Sequence, residues 1–409
     1  MTSGQQAKSS RAARGIVIVG VVFALLFPTS VGGVISPTLD RVAILLNVAV
    51  FGALLLLGKC HGSRLLAIVN LAMIAWLSAM TLLFPHARLA PGLVAIFVGL
   101  ALMLSTSVRR VSAPQATALT LAFINLFAFT LGTALAFDVQ WADRFVKAYY
   151  TAFWQDILVS MLDWYDKPVL TFATHSLAGF FYYLFFYLNF RNYVVTGSRW
   201  GLAAAIGHMT LGMALRSTTG WILMTIAGGQ LLLAVWRRHG RQLAWVPVLA
   251  PLLIVGAVVL EMERLTAAVE PVREMLVGTE VSGLMARYSE SGLLAGNLRY
   301  LRDSTFSPLG FNYGLDQDLY YSDSGWIQYM LRGSLPLVLL IYGGLYAFLR
   351  ANLKSRSDIR WLYFVILLFE VGYTPFFRFR FTSFLPFMVV YLNDLVTSRS
   401  PEERVEGDA

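Results

Sequence analysis

Charge and cysteine are what this chain has least of. Charged residues make up 13% of 409, and Cys60 is the single cysteine, so no disulfide framework can support the fold. The five histidines, His61, His86, His175, His208 and His239, show no metal-ligand spacing, which argues against a structural zinc site. There is no GxxxxGK[ST] loop and no GxGxxG fingerprint, so a bound nucleotide is not indicated as an energy source. The isoelectric point is near 9.6, yet no nucleic-acid motif accompanies it. Neither metal nor cofactor is expected, and no nucleic-acid partner.

What fills the space is apolar. Hydrophobic residues reach 57% and mean hydropathy is +0.64, above what a soluble domain tolerates. A bilayer crossing needs roughly 20 apolar residues. Such runs fall at about 15–36, 41–58, 64–84, 90–107, 115–137, 173–193, 198–215, 218–236, 243–262, 323–349, 359–374 and 379–397. The expectation is an all-α polytopic integral membrane protein with about 12 transmembrane helices. It reads as one transmembrane domain, 15–397, between a basic cytoplasmic tail, 1–14, and a cytoplasmic tail, 398–409. With Lys8, Arg11 and Arg14 before the first run and no small-residue cleavage site, that run reads as a retained anchor with both termini inside.

More than half of the 32 Lys and Arg fall in the expected inside loops. The remainder are nearly all arginine and gather on the outer side, among them Arg216, Arg264, Arg273, Arg287, Arg299, Arg302, Arg378 and Arg380. The bias rule leaves that face poor in such residues, and the planar guanidinium fork matches phosphate. The set points to an anionic ligand outside, although single arginines can snorkel or pair with Glu261, Glu263, Glu270, Glu274, Glu280 or Glu290.

Two outer segments exceed mere connections. In 138–172, Trp141, Phe145, Tyr149 and Phe153 recur every four residues, as in a helix lying at the membrane interface. Tyr150, Trp154, Trp164 and Tyr165 suit the headgroup belt and could also stack on sugars. The second, 263–322, is too small for a confident independent domain and reads as a lid or site wall.

The most informative stretch is 306–333, FSPLGFNYGLDQDLYYSDSGWIQYMLRG, a Gly- and Asp-rich loop opening into an apolar helix. Asp316-Gln317-Asp318 spells the acidic triplet that nucleotide-sugar enzymes use for a divalent metal. Nucleotide sugars are cytoplasmic and this loop is expected outside, so a solvated turn is the preferred reading. The order Arg299, Arg302, then Pro308 to Gly314, then Asp323-Ser324-Gly325 resembles bacterial Wzy-type polysaccharide polymerases of the O-antigen polymerase and ligase superfamily. So do Thr174-His175-Ser176, Leu215-Arg216-Ser217 and the Arg299-x10-Gly310 spacing. Those enzymes also carry their large periplasmic loop between the ninth and tenth of about twelve spans.

That resemblance implies a GT-C-like, metal-independent glycosyltransferase of the bacterial inner membrane, with its site facing the periplasm. It would join undecaprenyl-pyrophosphate-linked oligosaccharides, alongside a flippase and a chain-length regulator of the same pathway. An acceptor hydroxyl would displace pyrophosphate from the anomeric carbon, and fixed positive charge would stabilise the leaving group. The expected phosphate clamp is Arg216, Arg299 and Arg302, then Arg287, Arg378 and Arg380, with Tyr313 in the same loop. The expected base is His175, with Asp323 competing; each could instead cap a helix. Glu370 is the one acidic residue placed well within a span. Two alternatives remain. O-antigen ligases carry a histidine in the large loop, and 263–322 has none. A flippase or other transporter should show several buried acids or interrupted helices.

Overall fold

The computed structural model describes residues 14–15, 17–22, 24–26, 37–57, 63–83, 91–153, 167–172, 174–215, 217–239, 294–303, 308–312 and 324–398. The expected span at 243–262, most of the loop 263–322, both tails and the aromatics Trp154, Trp164 and Tyr165 lie outside them.

Every described element is helical. In chain order they are α1 (Pro37–Leu57), α2 (Ser63–Leu83), α3 (Pro91–Leu104), α4 (Pro114–Ala136), α5 (Gln140–Phe153), α6 (His175–Thr196), α7 (Arg199–Ala214), α8 (Thr218–His239), α9 (Ala295–Asp303), α10 (Gly325–Asn352), α11 (Arg356–Glu370) and α12 (Phe379–Ser398). Residues 17–22 and 24–26 before α1 are also helical. Four stretches are long and apolar enough to cross a membrane: Arg64–Leu83, Pro114–Ala136, Thr219–Arg237 and Gly325–Asn352. The helices coincide with the expected apolar runs wherever those are described. Large apolar side chains stand fully outward on them, with Leu56 88% exposed, Leu119 72% and Leu65 70%. A water-soluble bundle would bury such faces; hydrocarbon solvates them.

The core is organised around α6. Its sequence, HSLAGFFYYLFFYLNFRNYVVT, has no polar stripe, and every residue from Leu177 to Phe190 is buried. A helix apolar on all sides must be enclosed on all sides. Thr174 starts it by accepting the Leu177 N–H, and Gly197, at φ 74°, ends it in the left-handed conformation that glycine adopts without penalty. Ser198 caps α7 immediately afterwards, so α6 and α7 form a tight hairpin. Phe180 stacks on Phe369 of α11 at 4.1 Å, and Phe185 meets Phe384 of α12 edge-on at 5.7 Å. Where α8 crosses α6, a Cβ on Gly179 would lie 3.2 Å from Gly220 Cα, a backbone approach that small residues allow.

Polar side chains pin the bundle at its ends. At one end Asp358 of α11, 1% exposed, takes Arg191 of α6 side-on at 2.7 and 3.2 Å and accepts the Tyr187 hydroxyl at 2.7 Å. Asn352 receives the Val108 N–H and donates to Thr106 O, while Asn393 donates to Asn352 O and receives the Lys354 N–H. Asp394 accepts from Ser112, Ala113 N and Thr117. All these segments were assigned to one side from their positive charge, and their hydrogen bonds gather them at one end.

α10 is broken. Ser334 sits at φ 57°, ψ −165°, and Pro336 follows, so two helical pieces meet at a kink. Proline has no N–H to return to the preceding turn. The carbonyl of Leu331, which an unbroken helix would pair with residue 335, accepts the N–H of Leu309 at 2.9 Å. Phe311 donates its own N–H to Thr81 of α2 at 2.7 Å, and its ring meets Phe97 of α3 at 5.3 Å. The Leu309-Gly310-Phe311 part of the sequence motif is thus a buried wedge between α2, α3 and the break in α10.

Candidate functional site

Asp323, Arg216, Arg287 and Tyr313 lie outside the described residues. The other expected site residues separate into two sets.

Arg299 and Arg302 are on α9, which packs Leu294 and Leu301 against Leu309, Ile327 and Leu331 at the first half of α10. Both guanidiniums point outward, and Arg302 pairs with its neighbour Asp303 at 3.0 Å with both side chains largely exposed. Such a pair adds little stability. Among the described residues, Arg299 and Arg302 are displayed on the exposed face of α9. On the same helix, burial raises the Tyr300 phenol above its ordinary value.

His175, Arg378 and Arg380 meet at the end of the bundle opposite the Asp358 pins. Arg380, the second residue of α12, is completely buried. Its Nη1 donates to Thr171 Oγ1 at 3.0 Å and its Nη2 to the Tyr149 hydroxyl at 2.9 Å, with the Phe172 ring 5.2 Å from its centre. Those two hydroxyls donate onward, Thr171 to Leu25 O and Tyr149 to Leu26 O. Arg380 thereby reaches, through two bridging hydroxyls, the Leu25 and Leu26 carbonyls of the first helical segment. Burial raises the Tyr149 phenol above its usual value against the opposing pull of Arg380. This is the geometry of an anchor: Arg380 ties α12, the interfacial helix α5 and the first helix together. Sequence reasoning placed it in the phosphate clamp; its side chain is committed to protein.

Arg378, two residues earlier, is half-buried and lies over the Tyr373 ring at 5.4 Å. The Tyr373 hydroxyl accepts from Thr174 at 3.4 Å, and His175, half-buried, is the first residue of α6. Thr174, not His175, supplies the cap. The arrangement sets the half-buried Arg378 guanidinium over the Tyr373 ring beside the start of α6, where His175 follows the Thr174 cap.

Sequence reasoning missed Arg332. It is 1% exposed, donates to Gln328 at 2.5 Å, and directly precedes Gly333 and the break at Ser334. The signal was available, since an arginine next to Gly-Ser-Leu-Pro inside an apolar run marks a functional position and an interrupted helix. Tyr149 and Thr171 were also unforeseeable as Arg380 partners, because their pairing spans more than 200 residues. His208 is fully buried within the bundle, bonded to Asn125 at 2.9 Å and stacked on Phe129 at 4.4 Å. Among the described residues no group of three His, Cys, Asp or Glu could hold a metal.

No family model matches the chain, and comparison with curated proteins and with solved structures finds no match. The likeness to polysaccharide polymerases therefore rests on the motif residues themselves.

Proposed function

We propose that this protein is an inner-membrane glycosyltransferase that polymerises undecaprenyl-pyrophosphate-linked oligosaccharides at the periplasmic face, releasing undecaprenyl pyrophosphate. The observation that carries the reading is the half-buried Arg378 lying over Tyr373 beside Thr174 at the start of α6, built on the Arg380 anchor. A lipid pyrophosphate would lie at headgroup depth, and on this reading the starts of α6 and α12 would stand there. Arg378 would take its charge, and Arg299 and Arg302 on the outer face of α9 would meet the second glycan lipid. Guanidinium does not surrender its proton, so charge on the departing pyrophosphate is stabilised without a metal.

The testing experiment is incubation of purified, detergent-solubilised protein with a lipid-linked oligosaccharide, reading the products on a gel. A ladder with release of undecaprenyl pyrophosphate supports the polymerase. Transfer that occurs only when lipid A core is added makes it a ligase.

A second reading, a transporter of lipid-linked glycans, is favoured by the break in α10 beside a buried arginine. Lipid movement in vesicles by a protein inert in both transfer assays would select it.

A further inference from the structure

The last residue of α11, Glu370, is a carboxylate that neither the phosphate clamp nor the anchor uses. It is 1% exposed, yet among the described residues its polar partners are not cations. Tyr329 donates to Oε1 at 3.1 Å, Tyr342 to Oε2 at 3.3 Å, and the Phe376 backbone N–H completes the set. Burying a carboxylate without a countercharge costs several kcal/mol, and a group selected only for stability would not be acidic here.

Its position is specific. Gly325, the glycine of Asp323-Ser324-Gly325, faces the carboxylate so closely that a Cβ there would lie 1.4 Å from Glu370 Oε2. The Ser324 hydroxyl reaches the Glu370 carbonyl at 3.5 Å. The motif glycine is thus a cradle for this acid, and the carboxylate sits against the first turn of α10, whose dipole favours negative charge. Glu370 also opens the turn that carries Tyr373 and Arg378. Around it, α10 contributes Tyr329, Tyr342 and, behind Tyr329, Arg332; α6 contributes the uncharged Phe180 against neighbouring Phe369; the 375–377 turn adds no titratable side chain.

We infer that Glu370 is a proton-exchanging carboxylate and, resting on the polymerase reading above, that it accepts the proton of the attacking hydroxyl. In that step the acceptor oxygen forms a bond to the anomeric carbon. The bond from that carbon to pyrophosphate breaks, its electron pair leaving with the phosphate, and the hydroxyl proton passes to Glu370 and then to water. His175 and Asp323 are relieved of that role.

Two measurements test it on the full-length protein. In the polymerisation assay, Glu370→Gln is expected to lower turnover about 100-fold, while binding of undecaprenyl pyrophosphate stays within about threefold of wild type and the acidic limb of the turnover profile disappears. Gly325→Ala, which displaces the carboxylate without removing it, is expected to do the same. Wild-type turnover with an intact limb in Glu370→Gln overturns the inference. Independently of activity, dicyclohexylcarbodiimide, an apolar reagent for protonated carboxyls, is expected to modify Glu370 on peptide mass spectrometry, more at acid than at alkaline pH. No modification at any pH overturns it. A wild-type protein that makes no polymer but is labelled at Glu370 refutes the polymerase reading and leaves the proton-exchanging carboxylate standing.

Discussion

Gly310→Ala separates a catalytic loop from a structural wedge. Gly310 has φ 70°, and a Cβ there would lie 2.2 Å from Thr81 Oγ1 and 2.9 Å from both Leu77 O and Thr81 N. The left-handed conformation alone costs an alanine about 1–2 kcal/mol. The hydroxyl could rotate aside, but the two backbone atoms cannot yield without moving the last turn of α2. If the wedge withdraws instead, the Phe311 N–H to Thr81 and Leu309 N–H to Leu331 bonds are lost, about 1 kcal/mol each. The sum is about 3–4 kcal/mol, or a fall in Tm of about 5 °C or more at roughly 2 °C per kcal/mol for a large chain. Thermal unfolding of the detergent-solubilised protein, followed by intrinsic fluorescence, measures it. Thr81→Ala removes the nearest clash but also the acceptor for Phe311. The double variant is therefore expected to fall short of the sum of the singles by about 1 kcal/mol. An unchanged Tm for Gly310→Ala, or strict additivity with Thr81→Ala, refutes the wedge.

Asp358→Asn strands Arg191 in a buried site and is expected to cost about 3–5 kcal/mol in the same unfolding assay, with Arg191→Met plus Asp358→Leu costing less than either change that leaves one charge behind. Arg380→Lys cannot reach both Thr171 and Tyr149 and is expected to lower Tm and speed amide exchange across 140–153, whereas Arg378→Ala is expected to leave both unchanged and to lower polymer formation. Tyr149 has a folded value raised above its unfolded 10.0, so its stabilising contribution is complete below about pH 10 and is lost as pH rises through the folded value. Exchange across α5 is therefore expected to accelerate in that alkaline window, and to do so less in Tyr149→Phe. Ser334→Gly removes a side chain from a backbone conformation close to glycine-only, together with a buried hydroxyl that has no hydrogen-bond partner among the described residues, and is expected to raise Tm.

The helices were legible because their signal is length and apolarity, which a linear sequence displays directly. Asn352 donates to Thr106 O and Asn393 to Asn352 O, while Asp394 accepts from Ser112, at helix ends that lie next to the positive charge of the chain. Three-dimensional pairing was not legible. Nothing in Phe-Arg-Phe-Arg-Phe at 377–381 says that one arginine is consumed by Thr171 and Tyr149 while the other lies over Tyr373. The buried place of Leu309 to Phe311 was not legible for a related reason. Glycine and asparagine after proline mark a turn, but a turn exposed in water and a turn wedged into a helix break have the same local chemistry. Only the partner backbone distinguishes them.

The broken helix links the Leu309–Phe311 wedge to Glu370. An unbroken α10 would return the Leu331 carbonyl to residue 335 and leave no acceptor for Leu309, so the wedge and the break require each other. The same break ends a half-helix that begins at Gly325 against Glu370 and finishes at Arg332. A carboxylate at the start of a helix and a guanidinium in its last turn are each placed where the helix dipole favours them. That short helix is therefore polarised at both ends within an apolar surround, which makes it a rigid mount for Glu370. Shifting the break, for instance by Pro336→Ala, should reach the carboxylate through the nine residues from Gly325 to Gly333. Turnover should then fall with no change in the groups that touch pyrophosphate, and equal activity would show that Glu370 is held by α11 alone.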